Sequence, residues 1–334
     1  MNRLAVGKLS STYLDELLRE HCRADAQVIV GPRVGEDAAV IDMGSSYLVA
    51  STDPITFATE AIGWYAVHIN ANDIATMGAA PRWFLATLLL PEQQTTKKLV
   101  RVIFDQLSRA CQQLGVSWIG GHTEITSGLD RAIVVGTMLG EVAKDRLVTS
   151  AGAQVGDVII LTKGIAVEAT ALIAREKEQE VRVKYRDEFL ERCKKFLYDP
   201  GIGVFRDAMV ATEVVRVHAM HDPTEGGLAM GLWELSQASG VGLRVSREAI
   251  VILPETVRLC EQYGLDPLGA IASGALLIAV GPKDSQGALN ALSGAGIDAA
   301  AIATATAQRE VCWEDGSALP IFKRDEVTRL FEGS

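Results

Sequence analysis

The sequence predicts an α+β protein built as two domains. Three observations lead there. The chain has 334 residues, and at roughly 150 residues per domain that makes two hydrophobic cores. Short apolar runs mix irregularly with long amphipathic segments, and hairpin-like stretches lie beside helices, which a doubly wound parallel sheet would not show. Near Val148–Gly156 the composition turns small, polar and glycine-containing (TSAGAQVGD). The boundary is placed there, giving domains 1–150 and 151–334.

In the first domain, Ser11–Cys22 carries Leu14, Leu17 and Leu18 at helical spacing behind two serines that can cap it. Val28–Val30, Ala38–Ile41 and Tyr47–Ser51 are apolar runs bounded by Gly, Pro and acidic residues, and read as strands. Glu60–Met77 has helical length, with Gly78 suited to closing it. Arg82–Leu90 is a buried strand ended by Pro91. Thr95–Leu114 is a helix with Leu99, Ile103, Leu107, Ala110 and Leu114 on one face and Gly115 after it. Ser117–Gly120 and Ala132–Val142 are further strands.

In the second domain, Val158–Leu161 is a strand and Glu168–Arg175 a helix. The charged run from Arg175 to Lys195 reads as a solvated helical excursion. Helices follow at Ile202–Thr212, Gly227–Ser239, Pro254–Tyr263 and Lys283–Ser293, and strands at His218–Met220, Gly242–Val245, Ala275–Val280, Ala299–Ala305 and Val311–Trp313.

Composition narrows the function classes. At 48% hydrophobic and 22% charged residues, the chain can bury a core and is not disordered. Lys and Arg total 32 against 42 Asp and Glu, with no long basic run, which argues against a nucleic-acid face. The apolar run Trp83–Leu90 is too short to cross a bilayer. The amino-terminal stretch offers no apolar leader core, and the five cysteines are scattered singly with no Cys-x-x-Cys. A cytoplasmic location is the expectation, with most cysteines as small core fillers and Cys22 packed beside leucines.

Six segments can carry chemistry. Gly35-Glu36-Asp37 precedes an apolar strand, and a glycine with two carboxylates is either a polar turn or a ligand loop. Asp53 follows the strand YLVAS and precedes Pro54, which favours an extended conformation there. In the helix containing Asn70-Ala71-Asn72-Asp73, Asn70 and Asp73 share a face with Met77; a metal ion, a phosphate or an internal hydrogen-bond network would satisfy them. In Gly120-Gly121-His122-Thr123-Glu124 a strand runs into a Gly-Gly pair, which either lets the backbone approach a ligand closely, with His122, Thr123 and Glu124 as possible ligands, or is a glycine-rich turn. His221-Asp222-Pro223-Thr224-Glu225-Gly226-Gly227 reads as a strand end feeding a helix, where Asp222 can act on a metal or substrate, Thr224 can cap, and free amides can meet an anion. Lys163, at a strand end before Gly164, can neutralise a phosphate or simply be solvated.

Together Asp37, Asp53, Asp73 and Glu124 supply hard oxygen ligands, and an acidic site of this kind points to Mg²⁺-bridged ATP. No GxxxxGK[ST] occurs, which excludes a Walker A site, and no G-x-G-x-x-G follows a strand, which counts against a Rossmann dinucleotide site.

The ordered set GEDAAVID, STDP, NANDIATMGAAP, GGHTE, GDVIILTKG, HDPTEGGLA and SGALLIAV resembles the aminoimidazole ribonucleotide (AIR) synthetase superfamily over nearly the whole chain. That superfamily includes selenophosphate synthetase, thiamine-monophosphate kinase and the carbamoyl dehydratase of hydrogenase maturation. The segments HDPTEGGLAMGLWELSQASGVGL and CEQYGLDPLGAIASGALLIAV are most similar to the hydrogenase-maturation, HypE-like branch. The resemblance implies strands that build a barrel across a homodimer, ATP in the cleft between the domains, Mg²⁺ held by Asp37, Asp53 and Asp73, and Asp222 as the aspartate of the second domain's DPT motif. It also implies ATP-dependent activation of an oxygen of a small substrate, and a maturation-protein partner. Nucleotide contacts would fall on Gly35, Asp53, Gly120, Gly121, Lys163, Thr224, Gly226 and Gly227, and catalytic roles on Asp222 and His122. The alternatives are a thiamine-monophosphate kinase-like phosphotransferase and a nucleotide-binding homologue without turnover.

Three departures from the family pattern stand out. His122 replaces the usual Asp or Glu after Gly-Gly, leaving Glu124 as the substitute carboxylate. Glu225 and Ser273 stand where the branch has Arg and Glu. The sequence closes with Leu330-Phe331-Glu332-Gly333-Ser334 where the branch has a Pro-Arg-Ile-Cys tail, so an activity without that cysteine acceptor is expected.

Overall fold

The computed structural model describes residue 4 and residues 9–23, 25–33, 35–56, 58 and 60–331. Residues 1–3 and 5–8 of the amino-terminal stretch that bears on a leader, and residues 332–334 of the closing stretch, lie outside these.

The chain forms two six-stranded sheets, each carrying its own helices. The first holds β1 (Val28–Val30), β2 (Ala39–Asp42), β3 (Tyr47–Ile55), β4 (Ala80–Pro91), β5 (Ser117–Thr126) and β6 (Ile133–Val142), in the order β1-β2-β3-β6-β4-β5. The second holds β7 (Val158–Thr162), β8 (Val217–His221), β9 (Gly242–Val245), β10 (Leu277–Val280), β11 (Ala299–Thr306) and β12 (Val311–Trp313), in the order β12-β9-β11-β7-β10-β8. Only the β4–β5 and β9–β12 pairs are parallel. The fold is therefore α+β with two mixed sheets, as the sequence predicts.

Helices α1 (Ser11–His21), α2 (Ile62–Thr76) and α3 (Lys97–Leu114) belong to the first half. The second half has α4 (Val167–Glu176), α5 (Glu178–Lys184), α6 (Asp187–Lys195), α7 (Phe205–Val214), α8 (Gly227–Ser239), α9 (Pro254–Tyr263) and α10 (Ser285–Gly294). None of the described helices is long and apolar enough to cross a membrane.

Helix α3 shows how local chemistry sets an element. Thr96 accepts a hydrogen bond from the Leu99 amide at 3.1 Å, Gly115 closes the helix at φ 68°, and Ile103, Leu107 and Ala110 form its buried face. Helix α2 is buried nearly all round because glycines let it approach its neighbours. A Cβ on Gly136 of β6 would stand 2.3 Å from Asn70 Nδ2, and one on Gly140 would stand 2.3 Å from the Ile74 side chain. Gly63 in turn lies where a Cβ would meet the Ile103 carbonyl at 2.8 Å. Asn72 ties α2 to the second half: it donates to the Ile202 carbonyl at 2.9 Å and accepts from the Val204 amide at 2.8 Å.

Four local expectations are corrected. Strand β3 continues past Ser51, so Asp53 lies within it; Pro54 is tolerated because β2 pairs with β3 only as far as Ala50, leaving that edge open. Strand β5 runs through Gly120 and Gly121 to Thr126, and the pair is no turn; Gly121 backs onto Ala86, where a Cβ would stand 1.9 Å from a carbonyl oxygen. Helix α7 begins at Phe205 rather than Ile202, because Asn72 takes the Val204 amide and the Ile202 carbonyl. The charged stretch forming α5 and α6 is not wholly solvated, since Val181, Phe189, Leu190 and Cys193 are buried. Of the cysteines, Cys111, Cys193, Cys260 and Cys312 are buried, whereas Cys22 is exposed after the end of α1.

Candidate active site between the two halves

Four aspartates from four distant segments line one cavity of about 270 Å³. Asp37 stands in the turn before β2, Asp53 in β3, Asp73 in the last turn of α2, and Asp222 directly after β8. The glycine contacts beneath α2 bring Asp73 beside β3, where Ser51 Oγ donates to Asp73 Oδ2. Asn70 fixes the neighbouring backbone: its Oδ1 accepts from the Asp53 amide at 2.9 Å and its Nδ2 donates to the Asp53 carbonyl at 3.3 Å. Asn70 and Asn72 are thus the internal hydrogen-bond network, Met77 is core, and Asp73 alone of that cluster faces the cavity.

The electrostatics are those of crowded, dehydrated carboxylates. Burial, then the charges of Asp53 and Asp222, hold the Asp73 carboxyl well above the usual range. Burial and the Asp37 charge raise Asp222 likewise, with His221 opposing, and Asp222 Oδ2 has no hydrogen-bond partner among the described residues. Burial pulls the His221 imidazole down, but Asp37 at 3.1 Å and Glu234 at 3.0 Å outweigh it and raise it well above its ordinary value. His221 is therefore a cation clamped between two carboxylates. Glu36, also at the cavity, is raised by burial and has one unpartnered oxygen among the described residues.

Carboxylates that resist ionising together are stabilised by a cation in their midst. No three ligand-type side chains among the described residues stand at the spacing of a closed metal shell. Mg²⁺ does not require one, since it takes one or two carboxylates and fills its shell with phosphate oxygens and water. The acceptor-only donor set and the orphaned Asp222 oxygen fit that ion.

The other residues singled out from the sequence divide. Gly35, at φ 90°, and Thr224 line the cavity. Gly226 and Gly227 do not: the Gly226 amide donates to Asp325 at 2.8 Å and the Gly227 amide to the Thr224 carbonyl at 3.0 Å, so this helix start is already occupied by an internal anion. Lys163 is buried away from the cavity, donating to the Gly203 carbonyl at 2.6 Å and pairing with Asp207 at 3.3 Å. Gly120, Gly121, His122 and Glu124 lie on edge strand β5, outside the cavity lining. There His122 Nε2 is 3.0 Å from Glu124, and the two side chains are 64% and 47% exposed.

Sequence reasoning gave His221 no role and passed over Glu234, Tyr65 and Glu168, all of which line the cavity. One signal was available: Glu168 is the only charged residue between Gly164 and Ala174.

Comparison with known proteins agrees with this architecture. Residues 35–142 match the family model for the AIR synthase related protein N-terminal domain, and residues 154–313 that for its C-terminal domain. The carbamoyl dehydratase HypE of Rhizobium leguminosarum bv. viciae is 31% identical over 267 residues, covering 78% of this chain and 73% of that protein. The selenide, water dikinase of Aeromonas hydrophila subsp. hydrophila is 29% identical over 328 residues, covering 86% and 88%. The crystal structure of hydrogenase maturation protein HypE in complex with ATP shares the fold, with a TM-score of 0.67 at 21% identity over 96% of this chain and 97% of that one. Two matched domains spanning most of the sequence and a HypE relative above 30% identity place the chain in the AIR synthase related protein family, on its HypE-like branch.

Proposed function

We propose that this chain is an ATP- and Mg²⁺-dependent enzyme that activates an oxygen of a small acceptor by phosphoryl transfer. The observation that carries the reading is the convergence of Asp37, Asp53, Asp73 and Asp222 on one cavity, with burial and mutual charge raising Asp73 and Asp222. The relatives named for carbamoyl dehydration and selenide phosphorylation, and the fold neighbour solved with ATP, support it.

Bound Mg²⁺ would screen the phosphate charge and align the γ-phosphoryl group for in-line transfer. In this reading Asp37, Asp53 and Asp73 hold the metal, while Gly35 and Thr224 border the nucleotide. His221 fixes Asp37, since its imidazolium is held from the far side by Glu234. Asp222, buried and with one unpartnered oxygen, takes the proton of the acceptor hydroxyl as the new P–O bond forms and ADP leaves. Holding both reactants in one hollow supplies much of the rate.

The reading extends to assembly. Strand β5 is the open edge of the first sheet, with Ile119 54% and Ile125 62% exposed. A second copy would cover that edge, placing His122 and Glu124 at the seam of a homodimer. The division into residues 1–150 and 151–334, a cytoplasmic location and a maturation-protein partner belong to the same proposal.

Isothermal titration with ATP, with and without Mg²⁺, followed by an ADP-release screen over small metabolites, tests the reading. Mg²⁺-dependent binding and acceptor-dependent ADP release are expected. No ATP binding in either condition overturns it, and binding without ADP release for any metabolite favours a nucleotide-binding homologue without turnover.

A further inference from the structure

The charges acting on Asp73 and Asp222 come from each other and from Asp37, Asp53 and His221. Glu168 and Tyr65 answer instead to Glu225, Asp325 and Arg175, which sets these two apart in the cavity lining as a second end. Tyr65 of α2, Glu168 of α4 and Ser273 before β10 line it with Glu225, and Leu172 and Ile271 give it an apolar wall. Tyr65, Glu168 and Ser273 are 1%, 6% and 0% exposed. Nevertheless Tyr65 Oη and Glu168 Oε2 have no hydrogen-bond partner among the described residues, while the Ser273 hydroxyl and amide stand within bonding reach of the Glu168 carboxyl. Polar atoms buried this deeply are normally paired, and two unpaired ones around one hollow mark a place where a ligand completes them.

Two acidic side chains, Glu168 and Glu225, line this end. Burial lifts the Glu168 carboxyl to about 8; hydrogen bonding from Ser273 opposes the shift, and the Glu225 and Asp325 charges add to it. Burial also raises the Tyr65 phenol, with the Glu168 charge adding to the effect and the Arg175 charge opposing it. The buried basic side chains are turned elsewhere: Arg175 donates to the Ala171 and Lys194 carbonyls at 3.2 and 2.6 Å, and Lys163 donates to the Gly203 carbonyl and pairs with Asp207. A cation would let the Glu168 carboxyl release its proton and ionise, whereas an anion would hold it protonated. A hard metal ion would gain little from a phenol and an apolar wall.

We propose that this inner end binds the acceptor substrate by a protonated nitrogen group, an ammonium or guanidinium, that donates N–H bonds to Glu168 and Tyr65 while its carbon body lies against Leu172 and Ile271. This rests on the reading of the aspartate end as the Mg²⁺–ATP site and names the class of its acceptor: a small organic cation. A charge-assisted hydrogen bond to a dehydrated carboxylate is among the stronger polar contacts available, and it selects against carboxylate and phosphate acceptors of the same size.

The test measures binding of n-propylguanidinium, n-propylammonium and butyrate by titration, with and without saturating Mg²⁺ and a non-hydrolysable ATP analogue. The cations are expected to bind roughly tenfold or more tightly than butyrate. Glu168→Gln is expected to weaken guanidinium binding about tenfold or more, and Tyr65→Phe about threefold, with Mg²⁺–nucleotide affinity held within about twofold in both. Equal or tighter binding of butyrate overturns the proposal, as does unchanged guanidinium affinity in Glu168→Gln, or displacement of the guanidinium by Mg²⁺ alone. If Glu168→Gln fails to fold, Tyr65→Phe carries the same test, because it removes only the phenol oxygen. Cation binding in a protein that does not bind Mg²⁺–ATP would defeat the functional reading and leave this site standing. Mg²⁺–ATP binding without cation binding would defeat this proposal alone.

Discussion

Two sets of acidic residues in this chain meet different fates. Asp53 and Asp73 are drawn into a cavity with Asp37 and Asp222, where their charges act on one another and Asp73 and Asp222 are buried. Glu124 sits on the edge strand β5, where His122 and the Thr126 hydroxyl hold its carboxyl below the usual range and solvent surrounds it. The first set has His221 beside Asp37, and still the Asp73 and Asp222 carboxyls stay raised, which favours a bound cation. The second has hydrogen-bond partners within its own strand. What separates a ligand from an ordinary surface carboxylate is whether the fold strips its water and crowds it with like charge.

The strongest way to break this contrast is at His221, held between Asp37 and Glu234. His221→Asn leaves these two partly exposed carboxylates without their counter-charge and is expected to cost about 3 kcal/mol in chemical denaturation. Next comes the metal end itself. Asp53→Asn and Asp73→Asn are each expected to lower Mg²⁺–ATP affinity by about 10²-fold or more in titration calorimetry.

A pH series sharpens the same contrast. The folded Glu168 carboxyl, raised to about 8 and facing Glu225 and Asp325, keeps its proton long after the unfolded chain has lost it near about 4.3. The native state then binds more protons than the unfolded state, so stability falls as pH rises from about 4 to 8. Scanning calorimetry of the ligand-free protein is expected to show that decline, and Glu168→Gln to flatten it.

The smallest effects belong to β5. His122→Ala and Glu124→Gln are expected to change stability by no more than about 0.5 kcal/mol. Ile125→Glu is expected to turn a dimer into a monomer in sedimentation. Any loss of nucleotide affinity in Glu124→Gln is expected only in the assembled protein.

Local signals were legible from the sequence. Thr96 and Gly115 mark the ends of α3, and Pro254 and Gly264 those of α9, because caps depend on neighbouring residues only. Asp37, Asp53, Asp73 and Asp222 stood out because each breaks an apolar or glycine-bearing stretch. What was hidden depends on distant partners. Gly120 and Gly121 lie within a strand because of Ala86, in the neighbouring β4. Lys163 is held by Asp207, and the Gly226 amide by Asp325, 99 positions away. His221 reads as an ordinary strand end until Asp37 and Glu234 are brought to either side of it.

The most direct test is a crystal structure with Mg²⁺ and a non-hydrolysable ATP analogue. The expected result is a metal about 2.1 Å from carboxylate oxygens of Asp53 or Asp73, with the triphosphate over the aspartate end of the cavity. Metal and nucleotide seated instead on His122 and Glu124, with all four aspartates uncoordinated, would contradict the account.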